Sequence, residues 1–386
     1  MNRSTACCIS LLSLLLQLAI PVSAQQRPWR GSIEDVDGVT VVRNPAEGIW
    51  ERDTALTITF ERLLSIGDLD PDEDYLFSWV EDVTTDPDGN IYVCDSREHR
   101  IQVFDPEGRY LRTIGREGRG PGEIMRPKAV GIGPDGRLYV QDDLNYRISI
   151  FQPGGRFVDS FHYDGFMGEH LSFDGKGNIL LHRWTRSDDQ EGDLPVVSAY
   201  SGRGRLTGEF GERTVELQQG IDGRPKFASN GFEQFEEDLI VIFPSWPYRL
   251  EFYRGGALER IVERESPIFP APRIVEAGLE LADGSVLRQP AVRKRSSISG
   301  VFPLSEDYFM VVVQDRGRGW RDSTDPRDFT LHLDLYDREG RYLRTVPWDW
   351  EQRGLIRYAD GEGNLYSGFG SDAGVPGVTK WKVIMP

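Results

Sequence analysis

Residues 86–161 carry one pattern written twice. DPDGNIYVCDSREHRIQVFDPEGRYLRTIG (86–115) is followed, after a loop, by GPDGRLYVQDDLNYRISIFQPGGRFVDSF (133–161). Gly89 recurs as Gly136, Tyr92 as Tyr139, Arg100 as Arg147, Phe104 as Phe151 and Gly108 as Gly155, equally spaced in both copies. A repeat of about 40–50 residues built from short strands belongs to a propeller blade or another repeat array. One such sheet cannot bury both of its faces alone, but stacked against its neighbours it can.

Each copy reads as a four-stranded meander. A first strand runs into Asp86-Pro87-Asp88-Gly89, a turn in which glycine takes positive φ. Ile91–Cys94 is a second strand, Asp95–His99 a polar loop, and Arg100–Phe104 a third strand. Asp105-Pro106-Glu107-Gly108 turns the chain into a fourth strand, Tyr110–Ile114.

The string YVCDSREHRIQVFDPEGRYLRTIG with the loop GREGRGPGEIMRP (115–127) resembles an NHL repeat and its connector. The resemblance implies a six-bladed β-propeller of the bacterial extracytoplasmic type, all-β, with four-stranded antiparallel blades. It is strongest over 78–161. Elsewhere the strand pattern and the turn glycines carry it.

Taken in order, the blades are expected at about 78–115, 126–161, 170–210, 226–263, 297–346 and 354–386. Leu56–Gly67 resembles a fourth strand that arrives without its first three, and the C-terminus supplies three strands without a fourth. Joining them closes the ring and removes an open edge at the seam. Val36–Arg43 reads as a strand with no certain place in the repeat.

A meander puts the loop after strand one and the loop after strand three at one end. The loop after strand two and the crossover to the next blade lie at the other. The first set is uniformly short: DPDG, DPEG, GPDG, QPGG, DREG. The long segments, including 183–196, 264–297 and 315–328, belong to the second set. Binding residues gather on loops held by a rigid scaffold, so the elaborated face is the expected functional face. It carries Arg183, Trp184 and Arg186; Trp246 and Tyr248; Arg293, Lys294 and Arg295; and Arg316, Arg318 and Trp320. Arginine forks beside aromatic platforms suit an anionic, carbohydrate-like or protein ligand. The structural alternative is that these arginines pair with the plentiful acids and the tryptophans plug gaps between blades. Arg100, Arg147 and Arg249 share one repeat position, which favours a packing role for them.

No motif indicates a cofactor. Asp68, Asp70, Asp72, Glu73 and Asp74 offer oxygen to calcium, but the EF-hand spacing is not met. Of the histidines, His99, His162, His170, His182 and His332, none forms a close zinc pair in sequence, and only His170, just before an inner strand, falls near the expected axis. Propellers resembling this one include metal-dependent lyases and lactonases, but no catalytic set carries over. Gly118–Glu123 lacks the lysine and following helix of a phosphate loop, and Glu123 reads as a brace for its own backbone.

The N-terminus has Arg3, an apolar run from Cys8 to Ile20, and Val22-Ser23-Ala24, the parts of a secretory leader over 1–24. A lipoprotein anchor competes less well, because Cys7 and Cys8 stand at the start of the apolar run and do not follow it. Cleavage leaves Cys94 as the one cysteine, read as a small core residue. No later stretch is long enough for a membrane span. A net charge of −17 argues against nucleic acid as a partner. The resulting expectation is a monomeric, secreted or periplasmic propeller that binds a ligand or protein through its long-loop face without chemistry of its own. The alternative is a metal-dependent hydrolase or lyase working at the channel mouth.

Overall fold

The computed structural model describes residues 28–67, 72–163, 166–184, 195–211, 230–236, 238–244, 246–271, 273–280, 286–293, 295–317, 329–369 and 376–386. Six four-stranded antiparallel blades form a ring. Blade 1 comprises Val80–Thr85, Ile91–Asp95, Arg100–Phe104 and Tyr110–Ile114. Blade 2 comprises Pro127–Ile132, Leu138–Asp142, Arg147–Phe151 and Phe157–His162. Blade 3 comprises Phe166–Phe173, Ile179–Trp184, Val197–Tyr200 and Leu206–Phe210. Blade 4 comprises Asn230–Glu236, Leu239–Pro244, Arg249–Arg254 and Ala257–Arg264. Blade 5 comprises Ser296–Pro303, Tyr308–Asp315, Thr330–Asp337 and Tyr342–Trp348. Blade 6 takes Leu355–Ala359, Asn364–Phe369 and Gly377–Ile384 from the C-terminus and Thr59–Ile66 from the N-terminal side.

Burial follows radial position. The second strands Ile91–Asp95 and Leu138–Asp142 are buried along their whole length, because neighbouring blades cover both faces. The fourth strand Tyr110–Ile114 is only partly covered. Between blades 1 and 2 the filling is Tyr92, Ile101, Val103, Val140 and Phe151. Between blades 4 and 5 it is aromatic, with Phe235 edge-on to Phe309 at 5.2 Å between ring centroids.

The short turns repeat one device. In the first of them, Asp86 Oδ1 accepts from Asp88 N and Asn90 N, while Gly89 N returns to the Asp86 carbonyl. Asp105, Asp174 and Asp360 repeat the side-chain arrangement. The closing residue lies at positive φ, +82° at Gly89 and +81° at Gly108, where any other L-residue is strained.

Closure occurs as the orphan strand predicts. Thr59–Ile66 pairs antiparallel with Gly377–Ile384, from Ile66 opposite Val378 to Thr59 opposite Ile384. The unplaced segment before it has a definite position. Ser32–Val36 and Val39–Asn44 form a hairpin, and its second strand adds in parallel to Ala257–Arg264, so the blade 4 sheet has six strands. Asn44 is buried and fixes this addition: its amide donates to the carbonyls of Glu263 and Gly340, and its oxygen accepts from Trp29 Nε1 and Tyr342 N. Ile49 N and Trp50 N then bond to the carbonyls of Tyr342 and Leu343. The chain thus runs along the rim from blade 4 over blade 5 and into blade 6. The blade 4 to blade 5 crossover carries a further hairpin, Arg273–Glu280 with Val286–Arg293.

The leader at 1–24 and most of the acidic loop at 68–74 lie outside the described residues. Among those described, no helix is long and apolar enough to cross a membrane.

Candidate functional site

The second strand of blade 1 ends on Asp95, of blade 2 on Asp142 and of blade 5 on Asp315. Each carboxylate anchors the segment entering its own blade. Asp95 accepts from Ser78 N and Trp79 N, and Asp142 from Met125 N at 2.7 Å. Asp315 accepts from Ser296 Oγ and, in a fork of 2.9 and 3.1 Å, from Arg295. Second-strand ends and incoming crossovers therefore meet at one end of the ring, while the four-residue turns close the other.

Arginine completes these anchors. Arg147 donates to Asp142 at 2.9 Å and to the carbonyls of Arg119, Gly120 and Glu123. Arg100 pairs with Asp95 and reaches the Leu76 carbonyl. Arg249, at the same repeat position, uses Glu251 and Glu263 instead. In the loop that Arg147 ties down, Gly120 N donates to Glu123 Oε2 and Arg116 to Glu123 Oε1, which hold the Glu123 carboxyl below its usual range. Cys94 is buried, and burial pushes its thiol up, the opposite of an activated nucleophile.

The sequence candidates fall into three groups. Arg186, Lys294, Arg318 and Trp320 lie outside the described residues. Arg183 and Trp184 end the second strand of blade 3, and Arg293 ends the crossover hairpin. Of the rest, Arg295 is held by Asp315, and Arg316 N bonds to the Arg295 carbonyl. Tyr248 is a core residue: it is buried, and its hydroxyl donates to Asp334 Oδ2 at 2.7 Å. Trp246 is half-buried in a groove of about 670 Å³ that Arg30, Arg43 and Phe269 also line.

The axial channel holds the residues that the loop argument missed. It encloses about 500 Å³ and is lined by the innermost strands of all six blades. In five of these strands the pairing skips near the long-loop end: between Val80 and Asp82, Pro127 and Ala129, Met167 and Leu171, Ile298 and Gly300, and Ile356 and Tyr358. A bulge re-aims the residue it contains. Here the skipped positions include Glu81, Lys128, His170, Ser299 and Arg357, all polar. Glu81 and Lys128 pair at 3.1 Å. His170 Nδ1 lies 3.7 Å from Glu233 Oε1 of blade 4. Asp82 Oδ1 accepts from Val83 N at 2.8 Å, and Oδ2 from Val130 N of blade 2 at 2.9 Å, which seals part of the inner sheet edge. Burial pushes the Asp82 carboxyl up to about 7 against the pull of those amides and Arg357. Burial, with the Asp82 charge added, raises Glu233 well above the usual carboxylate range. Among the described residues, no three His, Cys, Asp or Glu side chains converge as a metal centre requires.

His170 was legible as an axial residue. The others had one sequence signal: a charged residue interrupting apolar alternation near the start of the first strand, as in Val80-Glu81-Asp82-Val83 and Ile356-Arg357-Tyr358.

Residues 68–151 match the family model DUF5128, described as a 6-bladed beta-propeller. No curated protein matches the sequence. Among solved structures, a protein of Bacteroides fragilis described as exported is similar over 90% of this chain and 100% of its own, at 12% identity and a TM-score of 0.56. A DUF4221 family member from Bacteroides vulgatus is similar over 85% of this chain and 98% of its own, at 9% identity and a TM-score of 0.58. At such identities the likeness is one of fold, and the fold is a β-propeller.

Proposed function

We propose that this protein is an exported, NHL-type propeller that acts as a non-catalytic binding module, its ligand entering from the long-loop face and seating in the mouth of the axial channel. The supporting observation is the channel itself: a cavity of about 500 Å³ with side chains from every blade. Its size lies within the roughly 300–1,000 Å³ of small-molecule sites. The arginine and aromatic residues of the long loops would rim the entrance and steer what approaches it. A thermal-shift screen of sugars, amino acids, amines, organic acids and nucleotides against the mature chain tests the reading. Ser299 is exposed in the channel, so Ser299→Trp would plug it without changing charge. A hit that stabilises wild type and not the plugged variant is the expected result. Hits indifferent to the plug would overturn the channel assignment.

A second reading has one observation in its favour. A carboxyl at about 7 (Asp82) and the His170–Glu233 pair are suited to proton transfer near neutrality, as a hydrolase or lyase would need. Turnover of a screening hit, lost in Glu233→Gln, would select this reading over simple binding.

A further inference from the structure

The channel's charges do not cancel. Glu81 is neutralised by Lys128, and Asp360 by Lys380 at 3.3 Å. Asp82 from blade 1, Glu233 from blade 4 and Arg357 from blade 6 remain facing the cavity. Blades 1 and 4 are opposite in a ring of six, so the two carboxyls line opposite walls of the one cavity. Arg357 Nε is buried and meets no hydrogen-bond acceptor among the described residues. The site therefore offers two acidic acceptors and one donor still lacking a partner.

We propose that the channel binds a small protonated amine bearing an acceptor oxygen, the ammonium held between Asp82 and Glu233 and the oxygen turned to Arg357. The proposal rests on the channel being the ligand site and adds the chemical class. With the His170 imidazole beside Glu233 counted as neutral, one positive charge completes the balance of two carboxylates and one guanidinium. An anion would add a third negative charge to a partly dry cavity, which is costly. A divalent metal wants more oxygen ligands than the described residues bring together. Without a bound amine, protons serve as the missing positive charge, which is the sense of the raised carboxyls of Asp82 and Glu233. The groups facing them are His170 on blade 3, Arg357 on blade 6, the Glu81–Lys128 pair and the buried Cys94 thiol. Binding an ammonium must expel the proton on Asp82, so affinity rises with pH.

Ethanolamine is the probe, since it stays protonated across the range, with ethylene glycol as its neutral counterpart. Calorimetry on the mature chain should detect ethanolamine and not ethylene glycol. Affinity should be about tenfold higher at pH 8 than at pH 6, from a carboxyl titrating near 7, and should fall about tenfold in Glu233→Gln. Glu233 has His170 as its one ion-pair neighbour among the described residues, and Gln keeps its shape. If that variant does not fold, Ser299→Trp substitutes for it and should abolish ethanolamine binding. Equal binding of the two probes, a pH-independent affinity, or binding that survives these substitutions overturns the amine assignment. If ethanolamine fails while a neutral or anionic screening hit is lost in Ser299→Trp, the amine class falls and the channel reading stands. If no hit depends on Ser299, both fall.

Discussion

Asp142 and Arg147 are almost wholly buried and serve two structural purposes at once. The carboxylate catches the entering chain at Met125 N, and the guanidinium catches three carbonyls of the same crossover. Removing one partner leaves the other charged and dry, so Arg147→Ala should cost about 3–5 kcal/mol, measured by urea unfolding. Repetition of the device at Asp95–Arg100 explains why arginine recurs at that repeat position. The same logic applies to Arg295, whose fork on Asp315 engages its charge. An Arg293→Ser/Lys294→Ser variant that keeps Arg295 is therefore the cleaner probe of steering at the long-loop face. It should weaken the docking of an anionic partner on that outer face, distinct from the channel's amine, and reduce the salt dependence of that docking, with the melting temperature nearly unchanged. A lost fold, or an unaltered salt dependence, would count against that patch. Gly108 is a third residue-scale case. Its φ is +81°, and an added Cβ would lie 2.7 Å from a methyl of Leu64 on the closing strand. Gly108→Ala should destabilise by about 1–2 kcal/mol from backbone strain alone.

Two N-terminal elements differ in what depends on them. The hairpin Ser32–Val36/Val39–Asn44 extends a blade that is already complete. Thr59–Ile66 is the fourth strand of blade 6 and covers Gly377–Ile384. A chain starting at residue 58 should still fold, with a lower melting temperature from exposure of the blade 4 and blade 5 rim. A chain starting at residue 68 should leave Gly377–Ile384 as a bare edge and aggregate, seen by size exclusion and light scattering. Equal behaviour of the two truncations would show that closure does not hold the ring. The innermost strands carry the other element-scale lesson. Their bulges lie toward the end where chain enters from the crossovers, so extra length in the first strand is taken up where a side chain can turn toward the axis.

For the whole molecule, the channel links stability to pH. The folded Asp82 carboxyl titrates near 7 and its ordinary value is 3.8. Between those values the folded protein holds a proton that the unfolded chain has released. Stability should therefore fall as pH rises from about 4 to 7 on account of Asp82, and the raised Glu233 carboxyl adds a loss in the same direction. Asp82→Asn should flatten that slope in melting temperature against pH. An unchanged slope would mean that the carboxyl is hydrated and ordinary. The proposed export is tested on the whole chain: the mature protein should begin near Gln25, read by N-terminal sequencing of secreted material, and an intact leader would contradict it.

The sequence by itself determined the blade. Its turn aspartates, positive-φ glycines and buried middle strands are local or near-neighbour facts, written in the order the chain uses them. Closure was also legible, because an orphan fourth strand and a blade lacking one are complementary in the repeat. Which side chains share a site was decided by the tertiary structure alone. Asp82 and Glu233 are far apart in sequence, and no periodicity relates them. They face each other because six blades bring blades 1 and 4 to opposite sides of one axis. The place of the N-terminal hairpin was hidden for the same reason: its parallel partner, Ala257–Arg264, is chosen by the open outer edge of a distant blade and by Asn44 bridging two blades. Tyr248 reads as a loop aromatic and is core, because the blade 5 carboxylate that takes its hydroxyl, Asp334, comes beside it only when the ring is assembled.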